Sequence, residues 1–179
     1  MGLRGRKEHD KLGNTYFITS TLLGFEKIFT INDKYCDILI DSLKHLIVEH
    51  TAGLIAYVIM PNHIHLIISL PEGESISDFM RDFKRHTSSK IREQLTGENK
   101  NSIIDKLTSL GGTGKFRLWM DRFDDLIVTT QKVLEIKINY IHNNPVKAGL
   151  VENMTDWKYS SARNYYLDGH SVIQIERII

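Results

Sequence analysis

Two histidines separated by one residue stand in an otherwise apolar run, PNHIHLIIS, which spans residues 61–69. On an extended strand, residues two apart project to the same side. His63 and His65 therefore point together, while Ile64, Leu66 and Ile68 point to the other face. Two neutral imidazoles on one face can chelate a cation, but a lone pair is equally compatible with a structural role, and a metal site needs further ligands. The segment INYIHNNP offers one. On a helix, Tyr140 and Asn144 share a face with Lys137 one turn earlier, whereas Leu134, Ile138 and Ile141 form the packing stripe. Asn144 precedes Pro145, a position biased away from helical backbone, and Tyr140 taken alone reads as a half-buried helix tyrosine. In combination the residues read as chemistry. A cation held by imidazoles and an amide oxygen keeps much of its positive field for a phosphate oxygen, and a nearby phenol becomes a nucleophile that such a cation can activate.

These groups need elements to hold them. TYFITST (Thr15 to Thr21), rich in β-branched and aromatic residues, predicts a strand, and the spacing of Ile38, Leu39, Leu43, Leu46 and Ile47 predicts a helix over 35–49. Leu54 to Met60 and Ile64 to Leu70 read as a hairpin about Pro61 and Asn62. Ser75 is positioned to cap a second helix with Asp78 three residues on, along a stripe of Ile76, Phe79, Met80, Phe83 and Ile91. From Gly97 to Lys115 the chain turns polar and glycine-rich around a short apolar island of Ile103, Ile104, Leu107 and Leu110, which reads as an inserted connecting loop. Its GGTGK lacks the spacing of a phosphate loop. A fourth strand is expected within Phe116 to Val128, followed by a helix capped by Thr129 or Thr130 that Pro145 stops at about Asn143. The resulting β-α-β-β-α-β-α order predicts an α+β fold: a ferredoxin-like βαββαβ antiparallel sheet with two helices on one face, plus an additional C-terminal helix. The second sheet face is left for that helix or for a ligand.

The 179 residues, 41% hydrophobic and 25% charged, predict a single globular domain. Apolar runs fall well short of the roughly 18 residues that span a bilayer, so a soluble cytoplasmic protein without a membrane partner is expected. One cysteine, Cys36, excludes an intramolecular disulfide or a thiolate cluster. A net charge of +1 is modest for a nucleic-acid binder, but cations gather at Arg4, Arg6 and Lys7 and again at Arg81, Lys84, Arg85, Lys90 and Arg92, where a helix could follow a phosphate backbone or simply present a solvated face. His142 reads as a polar surface or DNA-facing group. His9, His45, His50, His86 and His170 have no partner in sequence. Trp157, Tyr159, Tyr165 and Tyr166 read as packing residues with base stacking as the alternative.

MPNHIHLII, followed downstream by YIHNNPVKAGLV and DWKYSSARNYY, resembles the HUH single-tyrosine transposases of the insertion-sequence-200 type, and within them the REP-associated tyrosine transposases. The resemblance runs from about Tyr16 to Tyr166. It implies Mg²⁺ or Mn²⁺ bound by His63, His65 and Asn144, and Tyr140 as the nucleophile that cuts single-stranded or hairpin DNA to a 5′-phosphotyrosine and a free 3′-hydroxyl. Arg81, Lys84, Arg85 and Lys137 are the expected DNA contacts; monomer and homodimer both stay open. Two competing readings keep the same fold: a non-catalytic, domesticated hairpin-binding protein, and a metal-dependent phosphodiesterase that activates water and would not need Tyr140.

Overall fold

The β-branched, aromatic segment NTYFITST forms β1 (Asn14–Thr21) in the computed structural model, which describes residues 14–167 and 171–177. Arg4, Arg6, Lys7, His9 and His170 lie outside the described residues. Helix α1 (Asp33–Glu49) begins where the Asn32 side chain accepts from the Lys34 amide at 3.0 Å, and it buries Tyr35, Leu39, Leu43 and Leu46. Strands β2 (Gly53–Met60) and β3 (His63–Leu70) form the expected hairpin. Helix α2 (Ile76–Gly97) follows, with Phe79, Met80, Phe83, Ile91 and Leu95 inward. The Ser75 side chain makes no cap bond; its backbone carbonyl instead takes the amides of Asp78 and Phe79.

Two expectations are corrected downstream. The stretch read as a loop over 97–115 contains helix α3 (Asn101–Leu110), because its glycines flank the apolar island rather than interrupt it. Leu107 is fully buried, and Ile103 and Ile104 pack against the core. After the short strand β4 (Asp124–Ile127), helix α4 (Gln131–Lys147) is capped by Thr130, whose hydroxyl accepts from the Val133 amide. The helix then runs through Pro145 instead of stopping at Asn143. The stop comes at Gly149, whose φ of 67° lets Gly149 N–H reach Val146 and Leu150 N–H reach Pro145. Pro145 falls close enough to this end that one missing amide is tolerated.

The sheet order is β2-β3-β1-β4 with every neighbouring pair antiparallel, the ferredoxin-like arrangement. Strand alternation then creates two cores. Ile18, Leu66, Ile68, Tyr57 and Ile59 meet α1 and α2 on one face; Phe17, Ile55, Val58, Met60 and Ile67 meet Leu134, Ile138 and Ile141 of α4 on the other. The second face belongs to the third long helix. The C-terminal segment covers the β2 edge, with Ile59 N–H on Tyr159 and Ser161 N–H on Tyr57, before the short helix α5 (Ala162–Tyr166). Among the described residues no helix is long and apolar enough to cross a membrane.

Candidate active site

Pairing in the sheet puts His65 opposite Thr19 of β1 and Val58 of β2, and His63 opposite Thr21 and Met60. Both histidines therefore sit on the α4 face, with ring centroids 4.9 Å apart. His65 is buried, stacks on Phe17 at 5.6 Å, and places Nδ1 2.9 Å from the Thr19 hydroxyl. His63 is half-buried, with Nδ1 2.8 Å from Oδ1 of Asn62. Burial lowers the proton affinity of both rings. His65 is pushed down to about 3 by desolvation first, and then by His63 and by the Lys137 ammonium. Neutral imidazoles are the form that ligates metals. His65 Nε2 is buried without a hydrogen-bond partner, an orphaned lone-pair position beside a second imidazole.

Helix α4 carries the remaining groups to this spot. Tyr140 stands edge-on to His65 at 5.2 Å and to Phe17 at 5.8 Å, and it stays 40% exposed, so its hydroxyl can be reached from solvent. Lys137 lies 4.3 Å above the Phe17 ring and 5.8 Å from that of Tyr140, while Lys147 approaches Tyr140 from two turns later at 5.6 Å. Two ammonium groups thus flank the phenol, where negative charge forms when it ionises. Because the helix continues past Pro145, Asn144 keeps helical geometry and its amide NH₂ donates to the Tyr140 carbonyl at 2.9 Å, leaving Oδ1 as the acceptor. Among the described residues no group of three or more His, Cys, Asp or Glu side chains could hold a metal. A metal here would draw on the two imidazoles and a neutral oxygen such as that of Asn144, which fits the charge-poor donor set read from the sequence.

Of the predicted residues, the tertiary structure brings His63, His65, Tyr140 and Lys137 together, with Asn144 one turn beyond Tyr140. It does not bring Arg81, Lys84 and Arg85 to them. These lie on α2, which packs against the opposite sheet face. Arg81 pairs with Asp78 and Asp82, and Arg85 pairs with Asp82 at 3.0 Å. Lys84 donates to the carbonyls of Met120, Asp121 and Arg122, and its ammonium is pushed down to about 8 by burial and then by Arg117. Sequence reasoning missed Thr19, Asn62, Phe17 and Lys147. Only Lys147, seven residues after Tyr140 and so on its face, carried a readable signal.

His142 corrects another expectation. Rather than facing solvent or DNA it is fully buried, with Nε2 2.8 Å from the Ser161 hydroxyl, its ring against Tyr165 and Tyr166, and its proton affinity pushed down to about 4 by burial. It fastens the C-terminal segment to α4. The tyrosines of that segment are engaged as well: Tyr159 donates to Asp37, Tyr165 to the Ile55 carbonyl and Tyr166 to Asn139.

Comparison with known proteins bears on the family and the fold. The profile of a family described as Transposase IS200 like matches residues 26–144. A Haemophilus influenzae protein named as a REP-associated tyrosine transposase is 30% identical over 154 residues, 83% of this chain and 80% of that one. A REP-associated tyrosine transposase of Escherichia coli is 28% identical over 123 residues, 66% of this chain and 62% of the other. Among solved structures, a REP-associated tyrosine transposase bound to a REP hairpin aligns with a TM-score of 0.64 and 25% identity, covering 93% of each chain.

Proposed function

This chain belongs to the IS200-like transposase family, and on that premise we propose that it cuts and rejoins single-stranded or hairpin DNA with Tyr140 as the nucleophile and His63, His65 and Asn144 as the ligands of Mg²⁺ or Mn²⁺. The observation that carries the reading is the meeting of Tyr140 with His65, ring centroids 5.2 Å apart, from separate elements on one sheet face. When bound, the metal would supply a positive field to a non-bridging oxygen of the scissile phosphate.

The chain's own residues do the rest. The phenol loses its proton to solvent, with the ammoniums of Lys137 and Lys147 beside the ring to stabilise the oxyanion. The tyrosine oxygen attacks phosphorus, the bond from phosphorus to the 3′ oxygen breaks, and that oxygen leaves and takes up a proton. The product is a 5′-phosphotyrosine, whose bond energy is kept for attack by another 3′-hydroxyl. Phe17, stacked on His65 and edge-on to Tyr140, holds both rings in place. A hairpin partner is supported by the aligned transposase bound to one. The non-catalytic alternative gains nothing here, because a binder has no use for a phenol, two imidazoles and the Asn144 amide in register.

The test is incubation with labelled hairpin single strands and Mn²⁺, followed by a denaturing gel. A covalent protein–DNA species in the wild type that is missing from Tyr140→Phe supports the reading. Cleavage without an adduct would favour activated water, and binding without cleavage would favour the domesticated protein.

A further inference from the structure

Each imidazole of the site already has one ring nitrogen engaged. Asn62, in the β2–β3 turn, donates from Nδ2 to the Phe25 carbonyl at 3.3 Å and presents Oδ1 to His63 Nδ1 at 2.8 Å. A carbonyl oxygen only accepts, so the amide NH₂ must face Phe25 and the amide oxygen must face His63. That oxygen also only accepts, so the proton of neutral His63 must be on Nδ1 and the lone pair on Nε2. The Phe25 carbonyl is aimed by unusual backbone: Gly24 has φ 66° and Phe25 φ 56°, a conformation rare for a bulky side chain. Further bonds tie this loop to the turn, Leu22 N–H to Asn62 at 2.8 Å and Phe29 N–H to Pro61 at 3.2 Å. From behind, Lys106 of α3 pairs with Glu26, and Leu110 packs close against Gly24.

At His65 the partner is the Thr19 hydroxyl, directly opposite across β1 and β3. A hydroxyl can donate or accept. If it donated to Nδ1, the ring proton would be on Nε2, a buried atom with no acceptor. If it accepts, Nε2 is left as a lone pair beside His63, which is the state a cation can use.

We infer that Asn62 and Thr19 are positioning residues that hold His63 and His65 in the Nδ1–H tautomer with Nε2 free to coordinate, and that Asn62 passes the shape of the 22–31 loop to His63. The inference rests on the reading of the two histidines as metal ligands. Its test begins on the metal-free protein, with histidine ¹⁵N labelling and long-range ¹H–¹⁵N correlation at about pH 8, where neutral rings dominate. Both rings are expected as Nδ1–H. Asn62→Leu should release His63 into a tautomer mixture and leave His65 alone. Thr19→Val should do the reverse, with Thr19→Ser restoring His65. Asn62→Asp keeps an acceptor on His63 in case the leucine variant folds poorly, and it should keep the tautomer. Calorimetry with Mn²⁺ should show about 10- to 100-fold weaker binding in Asn62→Leu and Thr19→Val and recovery in Thr19→Ser. An Nε2–H ring in the wild type, tautomers indifferent to both substitutions, or unchanged affinity overturns the inference. Tautomers that follow Asn62 and Thr19 in a wild type that binds no Mn²⁺ would uphold the positioning and sink the metal assignment instead.

Discussion

The two faces of the sheet come from the same strands and carry different burdens. Under α1 and α2, Ile64, Leu66 and Ile68 of β3 join a continuous apolar cluster that reaches Trp119 and α3. Under α4, the same strand offers Ile67 to a smaller cluster and then His65 and His63 to a polar end where Tyr140 and Lys137 meet them. One face is a broad apolar cluster closed by two helices, and the other gives up part of its area to imidazoles, a phenol and an ammonium. The site thus sits where a single helix, rather than a helix pair, completes the packing, so polar groups there are destabilising but tolerable within a fold secured from behind.

Substitutions can break or sharpen that contrast. The largest effect is expected at Tyr140→Phe, where removal of one hydroxyl should lower strand cleavage by a factor on the order of 10⁴ or more, as loss of a nucleophile does. Its exposed position predicts a melting curve within about 0.5 kcal/mol of wild type. Retained cleavage would remove the catalytic meaning of the α4 face.

Next come the cores. Phe83→Ala under α2 should cost about 3–5 kcal/mol and lower the denaturant midpoint of the whole domain. Ile138→Ala should cost about 2–4 kcal/mol, with hydrogen exchange accelerating in α4 before α2. Equal protection of both helices would mean the faces are one cooperative unit.

A smaller effect follows pH. His142 is buried neutral, so its folded-state proton affinity is depressed to about 4 from the ordinary 6.5, and the unfolded chain takes up the proton first. Its contribution is intact above about pH 6.5 and is lost as pH falls toward 4. Chemical denaturation over that window should show His142→Gln flattening the acid loss by on the order of 2–3 kcal/mol. An unchanged slope would assign the loss to other groups, with His63 and His65 first.

The smallest effect separates the two faces in DNA binding. Lys137→Gln with Lys147→Gln should reduce the salt slope of single-strand association by roughly 0.7 for each phosphate no longer neutralised. Neutralising Arg81 and Arg85 should change it less, because Asp78 and Asp82 already offset them. The opposite ranking would return DNA to the α2 face, as the charge pattern of the sequence expected.

Much of this was legible in the chain because it depends on short-range periodicity. Period-two alternation placed His63 with His65, and helical spacing placed Lys137, Tyr140 and Asn144 together. The helix inside 97–115 was obscured by flanking glycines, although its apolar positions were visible. The end of α4 was misplaced because a proline near a helix terminus is tolerated, and Gly149 gave the real stop. His142 looked like a surface residue because nothing local predicts the Ser161 hydroxyl that meets it from the C-terminal segment.

By itself the sequence determined the strands, the three long helices, the βαββαβ order and which side chains share a strand or helix face, since these follow from backbone geometry within a few residues. Only the tertiary structure decided what crosses between elements. It set α4 on the histidine face, set Thr19 opposite His65 through strand register, and turned the Asn62 amide by means of a carbonyl on another loop. It also engaged the α2 cations with neighbouring carboxylates and carbonyls. Those outcomes depend on three-dimensional proximity between residues far apart in the chain, and no periodicity in the sequence encodes it.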